Sequence, residues 1–137
     1  MKKFSLNGAY TLYYADEQTN PCGLEGMQSV PAVVPGNVEI DLMHAGVLPD
    51  IFFGNNVKLL RPFEFYRWRY ERTFDAPSLE AGEKAFLHFQ GVDCVAAYYL
   101  NGEKFAESEN ALIVHRFEVT NLLKPGENSL AVEIRSP

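Results

Sequence analysis

Short stretches rich in aromatic and β-branched residues alternate with turn signals along the chain. The turns fall at Asn7-Gly8, Asn20-Pro21, Pro35-Gly36, Phe53-Gly54-Asn55-Asn56, Ala76-Pro77, Asn101-Gly102 and Pro125-Gly126. Strands this short and this often interrupted predict an all-β sandwich or barrel. Residues 65–74 read as one strand, with Tyr66, Trp68 and Tyr70 on one face and Arg67, Arg69 and Glu71 on the other, because successive side chains leave a strand on opposite sides. Residues 85–90 read as a second strand, burying Leu87 and Phe89. Residues 94–100 are almost wholly apolar, which predicts a central strand covered on both faces. Asn101-Gly102 predicts a tight hairpin into 103–106, since both residues tolerate positive φ. Residues 113–119 and 129–134 complete the series around a loop at 121–128.

One short helix is predicted at 37–45. Asn37 supplies an N-cap, Glu39 and Asp41 put negative charge in the first turn, Val38, Leu42 and Ala45 share a face, and Gly46 ends it. Residues 15–27 read as a polar loop without periodicity.

Set against the ~150 residues of a typical domain, a length of 137 predicts one domain over 1–137. With 47% apolar and 22% charged residues the chain is not intrinsically disordered. Its net charge of −6 repels phosphate backbones, and its densest basic cluster, Arg67, Arg69 and Arg72, is diluted by Glu64 and Glu71. Nucleic-acid binding is therefore not expected. The longest apolar run, 94–100, falls far short of the roughly twenty residues of a spanning helix, so no membrane partner is expected either. The start, Met1-Lys2-Lys3-Phe4-Ser5-Leu6-Asn7-Gly8, breaks into a turn before any secretory hydrophobic region, which predicts a cytoplasmic protein, or a periplasmic or secreted one if a leader has been cleaved. Cys22 and Cys94 have no metal-ligand spacing and read as free thiols in a reducing compartment.

Catalytic signals are sparse. There is no Gly-x-Ser-x-Gly nucleophile turn, no phosphate-binding Gly-rich loop and no dinucleotide fingerprint. His44, His88 and His115 fall in three separate elements, none with a second His or Cys at ligand spacing, so neither a metal nor another cofactor is expected. The seven Tyr, ten Phe and one Trp could form a platform for sugar rings. Their alternation in strand register favours core packing instead.

The segment Val30-Pro31-Ala32-Val33-Val34-Pro35-Gly36-Asn37-Val38-Glu39-Ile40-Asp41-Leu42-Met43-His44-Ala45-Gly46-Val47-Leu48-Pro49-Asp50-Ile51-Phe52-Phe53-Gly54-Asn55-Asn56 resembles the amino-terminal sugar-binding domain of family 2 glycoside hydrolases, in their β-mannosidase branch. The shared features are a Val-Pro-Gly turn, a short helix carrying Asp-Leu, then Ala-Gly, Pro-Asp and aromatic-Gly-x-Asn. Trp68-Arg69-Tyr70-Glu71-Arg72-Thr73-Phe74, Phe89-Gln90-Gly91-Val92-Asp93 with Tyr99-Leu100-Asn101-Gly102, and Phe117-Glu118-Val119-Thr120 with Lys124-Pro125-Gly126-Glu127-Asn128-Ser129-Leu130 resemble its later strands in order and spacing.

The resemblance implies a jelly-roll β-sandwich of the galactose-binding-like class, joined in its relatives to an immunoglobulin-like domain and a catalytic TIM barrel. Such enzymes retain anomeric configuration with two barrel glutamates about 5–5.5 Å apart. The family's acid/base lies in an Asn-Glu dipeptide, and this chain contains none. The family's Trp-Asp-Trp-Gly-Pro-like loop and Gly-Ile-x-Arg strand lie downstream of the last hairpin, so the resemblance also implies a sandwich without its last strands and with open sheet edges able to pair with a second copy. The expected function is a non-catalytic module that packs on the barrel and shapes the sugar pocket. A free-standing carbohydrate-binding module is the alternative. Asp50, Phe52, Phe53, Asn55, Asn56, Arg61 and Trp68 are the candidate substrate-binding or domain-interface residues.

Overall fold

The computed structural model describes residues 3–16, 27–36, 38–46, 66–89, 92, 95–109 and 114–135. The predicted cap at Asn37, both cysteines and the 48–56 loop lie outside these residues. The chain divides into two compact units at Tyr70 and Glu71, inside one strand.

The first unit holds β1 (Gly8–Asp16), β2 (Gln28–Val34), the helix α1 (Val38–His44) and the start of β3 (Tyr66–Ala76). Its strand order is β2-β1-β3, and β1 meets β2 antiparallel with Tyr10 opposite Ala32, Leu12 opposite Val30 and Tyr14 opposite Gln28. Tyr10, Leu12 and Tyr14 therefore share a face, and the buried Leu12, Tyr14, Val30 and Ala32 form the core side of this pair. Two of the nine residues of β1, Ala15 and Asp16, fall where a loop is read from the sequence. The chain enters α1 through a cis Val34-Pro35 bond and Gly36. A Cβ on Gly36 would lie 2.5 Å from the Val33 carbonyl oxygen, a backbone atom that cannot step aside. Gly36→Ala is thus expected to cost roughly 1–3 kcal/mol of strain, read as a lower melting temperature by calorimetry.

The predicted strand at 65–74 is β3, with Phe65 outside the described residues and two further residues, Asp75 and Ala76, in the strand. Its start is covered on both faces: Trp68 is buried, and so is Arg67 on the opposite side, only 1% exposed. A guanidinium taken from water needs polar company, and Arg67 is an engaged side chain.

The second unit holds the rest of β3 with β4 (Phe86–Phe89), β5 (Val95–Leu100), β6 (Glu103–Ser108), β7 (His115–Glu118) and β8 (Gly126–Arg135). One sheet runs β3-β8-β5-β6, and β4 pairs with β7 in another. The central position of β5 matches the sequence expectation. Ala96, Tyr98 and Leu100 are buried on one face while Val95, Ala97 and Tyr99 are half-buried on the other. The β5–β6 hairpin turns at Asn101 and Gly102, with φ of 54° and 85°, the two left-handed residues of a tight hairpin. A register shift between Tyr98 and Tyr99 marks a bulge.

Ala96, Tyr98, Val132 and Ile134 from one layer pack with Phe89 and Phe117 from the other. Two antiparallel layers closing over one apolar interior make this unit a β-sandwich, in line with the all-β expectation. β8 begins three residues before the predicted 129, and β7 is shorter than the predicted 113–119, with Val114 and Val119 flanking it.

Candidate functional site

Six of the seven sequence-selected residues, Asp50, Phe52, Phe53, Asn55, Asn56 and Arg61, lie outside the described residues. Trp68 lies inside them. Period-2 spacing on β3 puts Trp68 and Tyr66 on the face shared with Tyr14 of β1. The Trp68 ring centroid is 5.6 Å from that of Tyr14 and 5.8 Å from that of Tyr66, with Tyr14 and Tyr66 stacked at 6.2 Å. Tyr10 and Tyr70 continue the ladder edge-to-face at 6.4 Å. Trp68 is 9% exposed, so in this unit it is a packed ring rather than an open platform. Burial, with the Tyr66 hydroxyl nearby, pushes the Tyr14 phenol above its ordinary value.

Core packing accounts for a second group of aromatics, around Tyr98. Tyr98 lies among Phe89, Phe105 and Phe117 with no exposure, and its hydroxyl shares a 2.8 Å hydrogen bond with Ser108 Oγ. Phe86 is exposed, but the Arg116 guanidinium lies 4.0 Å over its ring.

The three histidines sit in the elements where the sequence puts them, His44 in α1, His88 in β4 and His115 at the start of β7. His88 and His115 cannot join at one centre. Alternation turns His115 to the side of Phe117, whose ring it parallels within 3°, and His88 to the opposite face with Arg116. Among the described residues no group of three His, Cys, Asp or Glu could hold a metal ion.

Buried acids are scarce, and each unit holds a single one among its described residues. Glu133 in the second unit is ion-paired with Arg135 at 3.4 Å. Asp41 in the first is 3% exposed, and its Oδ1 accepts the Val33 N–H at 3.2 Å. Desolvation raises the Asp41 pKa, opposed by that amide and by His44. Read from the sequence as a first-turn charge, Asp41 is instead a tether between helix and strand.

A second unforeseen group closes the loop before β8. Asn128, 1% exposed, accepts the Lys124 N–H at 2.9 Å and donates to the carbonyls of Lys124 and Gly126 at 2.8 and 3.0 Å. Asn101 Nδ2 donates to Asn128 Oδ1 at 2.9 Å, and Asn101 Oδ1 accepts the Ser129 N–H at 2.9 Å. Every polar atom of the Asn128 side chain is used, which fastens the β5–β6 turn to the start of β8.

Packing and closed hydrogen-bond networks thus occupy the aromatic and buried polar side chains just described. Residues 13–137 match the family described as glycosyl hydrolase 2 galactose-binding domain-like. The chain belongs to this family. The module is 39% identical over 102 residues to β-mannosidase B of Thermothelomyces thermophilus, covering 74% of the chain and 12% of that protein. With β-mannosidase B of Aspergillus clavatus it is 31% identical over 134 residues, 97% of the chain and 15% of the relative. Among solved structures, the β-D-mannosidase of Dictyoglomus thermophilum superposes with a TM-score of 0.82 and 31% identity, covering 100% of the module and 16% of that chain. The module therefore spans a small fraction of the length of these relatives.

Proposed function

We propose that this chain is the non-catalytic amino-terminal β-sandwich of a β-mannosidase-like hydrolase of O-glycosidic bonds. The observation that carries the reading is the match of the whole chain to only 16% of a β-mannosidase. A support of this kind packs on a catalytic barrel and an immunoglobulin-like domain and borders a carbohydrate pocket. Asp50, Phe52, Phe53, Asn55, Asn56 and Arg61 are the candidate contacts of that pocket, and the packed Trp68 ladder stiffens its own sheet. The purified 137-residue chain is expected not to turn over a chromogenic β-mannoside; turnover overturns the reading. In the full-length enzyme, alanines at Phe52, Phe53 and Trp68 together are expected to lower both turnover and melting temperature, and unchanged values of both would refute the supporting role.

The second reading, a free-standing carbohydrate-binding module, draws on the sandwich and its aromatic content. Calorimetry of the isolated chain with mannosides and β-linked manno-oligosaccharides separates the two: saturable heat supports independent binding, and its absence supports the scaffold. Edge pairing with a second copy would have to use the outer described strands. Pro31, which has no N–H, and Glu103, Lys104 and Glu107 make β2 and β6 poor templates, while β4 and β7 each keep an open side in their two-stranded sheet. Light scattering tests it: a mass that grows with concentration supports edge pairing, and a strict monomer across a wide concentration range counts against it.

A further inference from the structure

Asp41 is the most completely buried acid among the described residues, and one of its oxygens meets no hydrogen-bond donor among them. Oδ1 takes the Val33 N–H, while Oδ2 is shielded from solvent and meets no donor among the described residues. An ionised carboxylate has about four acceptor sites to satisfy. One backbone amide leaves it poorly solvated, whereas a neutral carboxyl keeps the Val33 bond through its carbonyl oxygen and carries no charge to desolvate. β2, the strand that α1 packs on, runs Gln28–Val34 and has no ionisable residue. On α1 itself, His44 is the ionisable neighbour that favours the charged form, and burial outweighs it together with the Val33 amide.

We propose that α1 is a pH-responsive clip, docked on β2 while Asp41 is a neutral acid and loosened when Asp41 ionises. The device belongs to this chain and does not rest on the enzyme proposed above. Below the ordinary value of 3.8 the carboxyl is protonated whether α1 is docked or free, and there is no penalty. As the pH rises past 3.8 the freed helix ionises first, so docking weakens until the docked carboxyl also ionises. Above that point the loss is constant.

Three amides report the clip. Val33 N–H is bonded to Asp41 Oδ1, Ala45 N–H to the Asp41 carbonyl at 3.1 Å, and Gly46 N–H to the Met43 carbonyl at 3.0 Å. In the 137-residue chain their hydrogen-exchange protection, corrected for the intrinsic pH dependence of exchange, is expected to fall by up to about tenfold per pH unit within the titration window. A carbon-detected NMR titration should place the Asp41 carboxyl above 3.8. Asp41→Asn keeps an oxygen for Val33 but cannot ionise, and should make the protection flat. His44→Gln removes the opposing charge and should extend the response to higher pH, with its onset unchanged. An Asp41 carboxyl titrating at or below its ordinary value overturns the proposal, and that measurement needs only the unaltered chain. So does the same pH response in Asp41→Asn as in the parent sequence.

Discussion

Asn128→Ala is expected to destabilise the chain by roughly 2–4 kcal/mol, because truncation leaves several shielded backbone groups without partners at once. The Lys124 N–H loses its acceptor, the Lys124 and Gly126 carbonyls lose their donor, and Asn101 loses one of its anchors. Water can reach some of these part-buried groups, which holds the figure below the sum of their separate desolvation costs. Urea denaturation should show a lower midpoint with an unchanged slope, since the surface exposed on unfolding is nearly the same. Asn128→Asp probes the direction of the network. It preserves the acceptor for Lys124 and Asn101 but turns an oxygen toward two carbonyls. That variant should be at least as damaged near neutral pH and partly recover in acid, where a protonated carboxyl can donate again. Because Asn101 bonds directly to Asn128, Asn101→Ala and Asn128→Ala should combine to less than the sum of their single effects. Strict additivity would show that the two turns are held independently.

This network also marks how far a sequence can be read. Asn101-Gly102 announces its hairpin because the requirement for positive φ is local to those two residues. Asn128 looks like one more turn residue. Three of its bonds stay within its own loop, and the fourth comes from Asn101, a partner 27 positions away that only the closed sheet brings near. The strand at β3 is legible from alternation alone, but the burial of Arg67 is not, because what covers a strand face is supplied from elsewhere in the fold. β1 carries a period-2 signal at Tyr10, Leu12 and Tyr14, whereas Pro31 speaks against a strand at β2 and becomes understandable once β2 is an outer strand. Asp41 is visible as a charge near a helix start; its actual partner, Val33, lies across a turn whose path no propensity describes. Of the candidate site, Trp68 shows its packing role in its strand register, and the other chosen residues stand outside the described segments.

The largest single loss is expected from Tyr98→Ala, at roughly 3–5 kcal/mol, the range for removing a fully buried aromatic ring. Tyr98 is the ring on which the two layers close: its centroid lies 4.7 Å from that of Phe89 and 5.0 Å from that of Phe117, and Phe105 of its own sheet stands at 6.2 Å. Removing it opens a cavity between layers that backbone pairing on each side prevents from collapsing. Tyr98→Phe separates packing from hydrogen bonding. It fills the same space but strands the Ser108 hydroxyl, itself only 7% exposed, at a cost of about 1–2 kcal/mol. Pairing it with Ser108→Ala should restore most of that loss, since removing both members of a buried hydrogen bond leaves nothing unsatisfied. Burial holds the Tyr98 phenol above its ordinary value of 10.0, with the Ser108 bond opposing. The unfolded chain therefore ionises first, and stability falls as the pH climbs past 10.0. Tyr98→Phe should lose its share of that alkaline decline, while Tyr14, also raised, keeps its own. If Tyr98→Ala melts within a degree or two of the parent chain, the two layers are not closed over this ring.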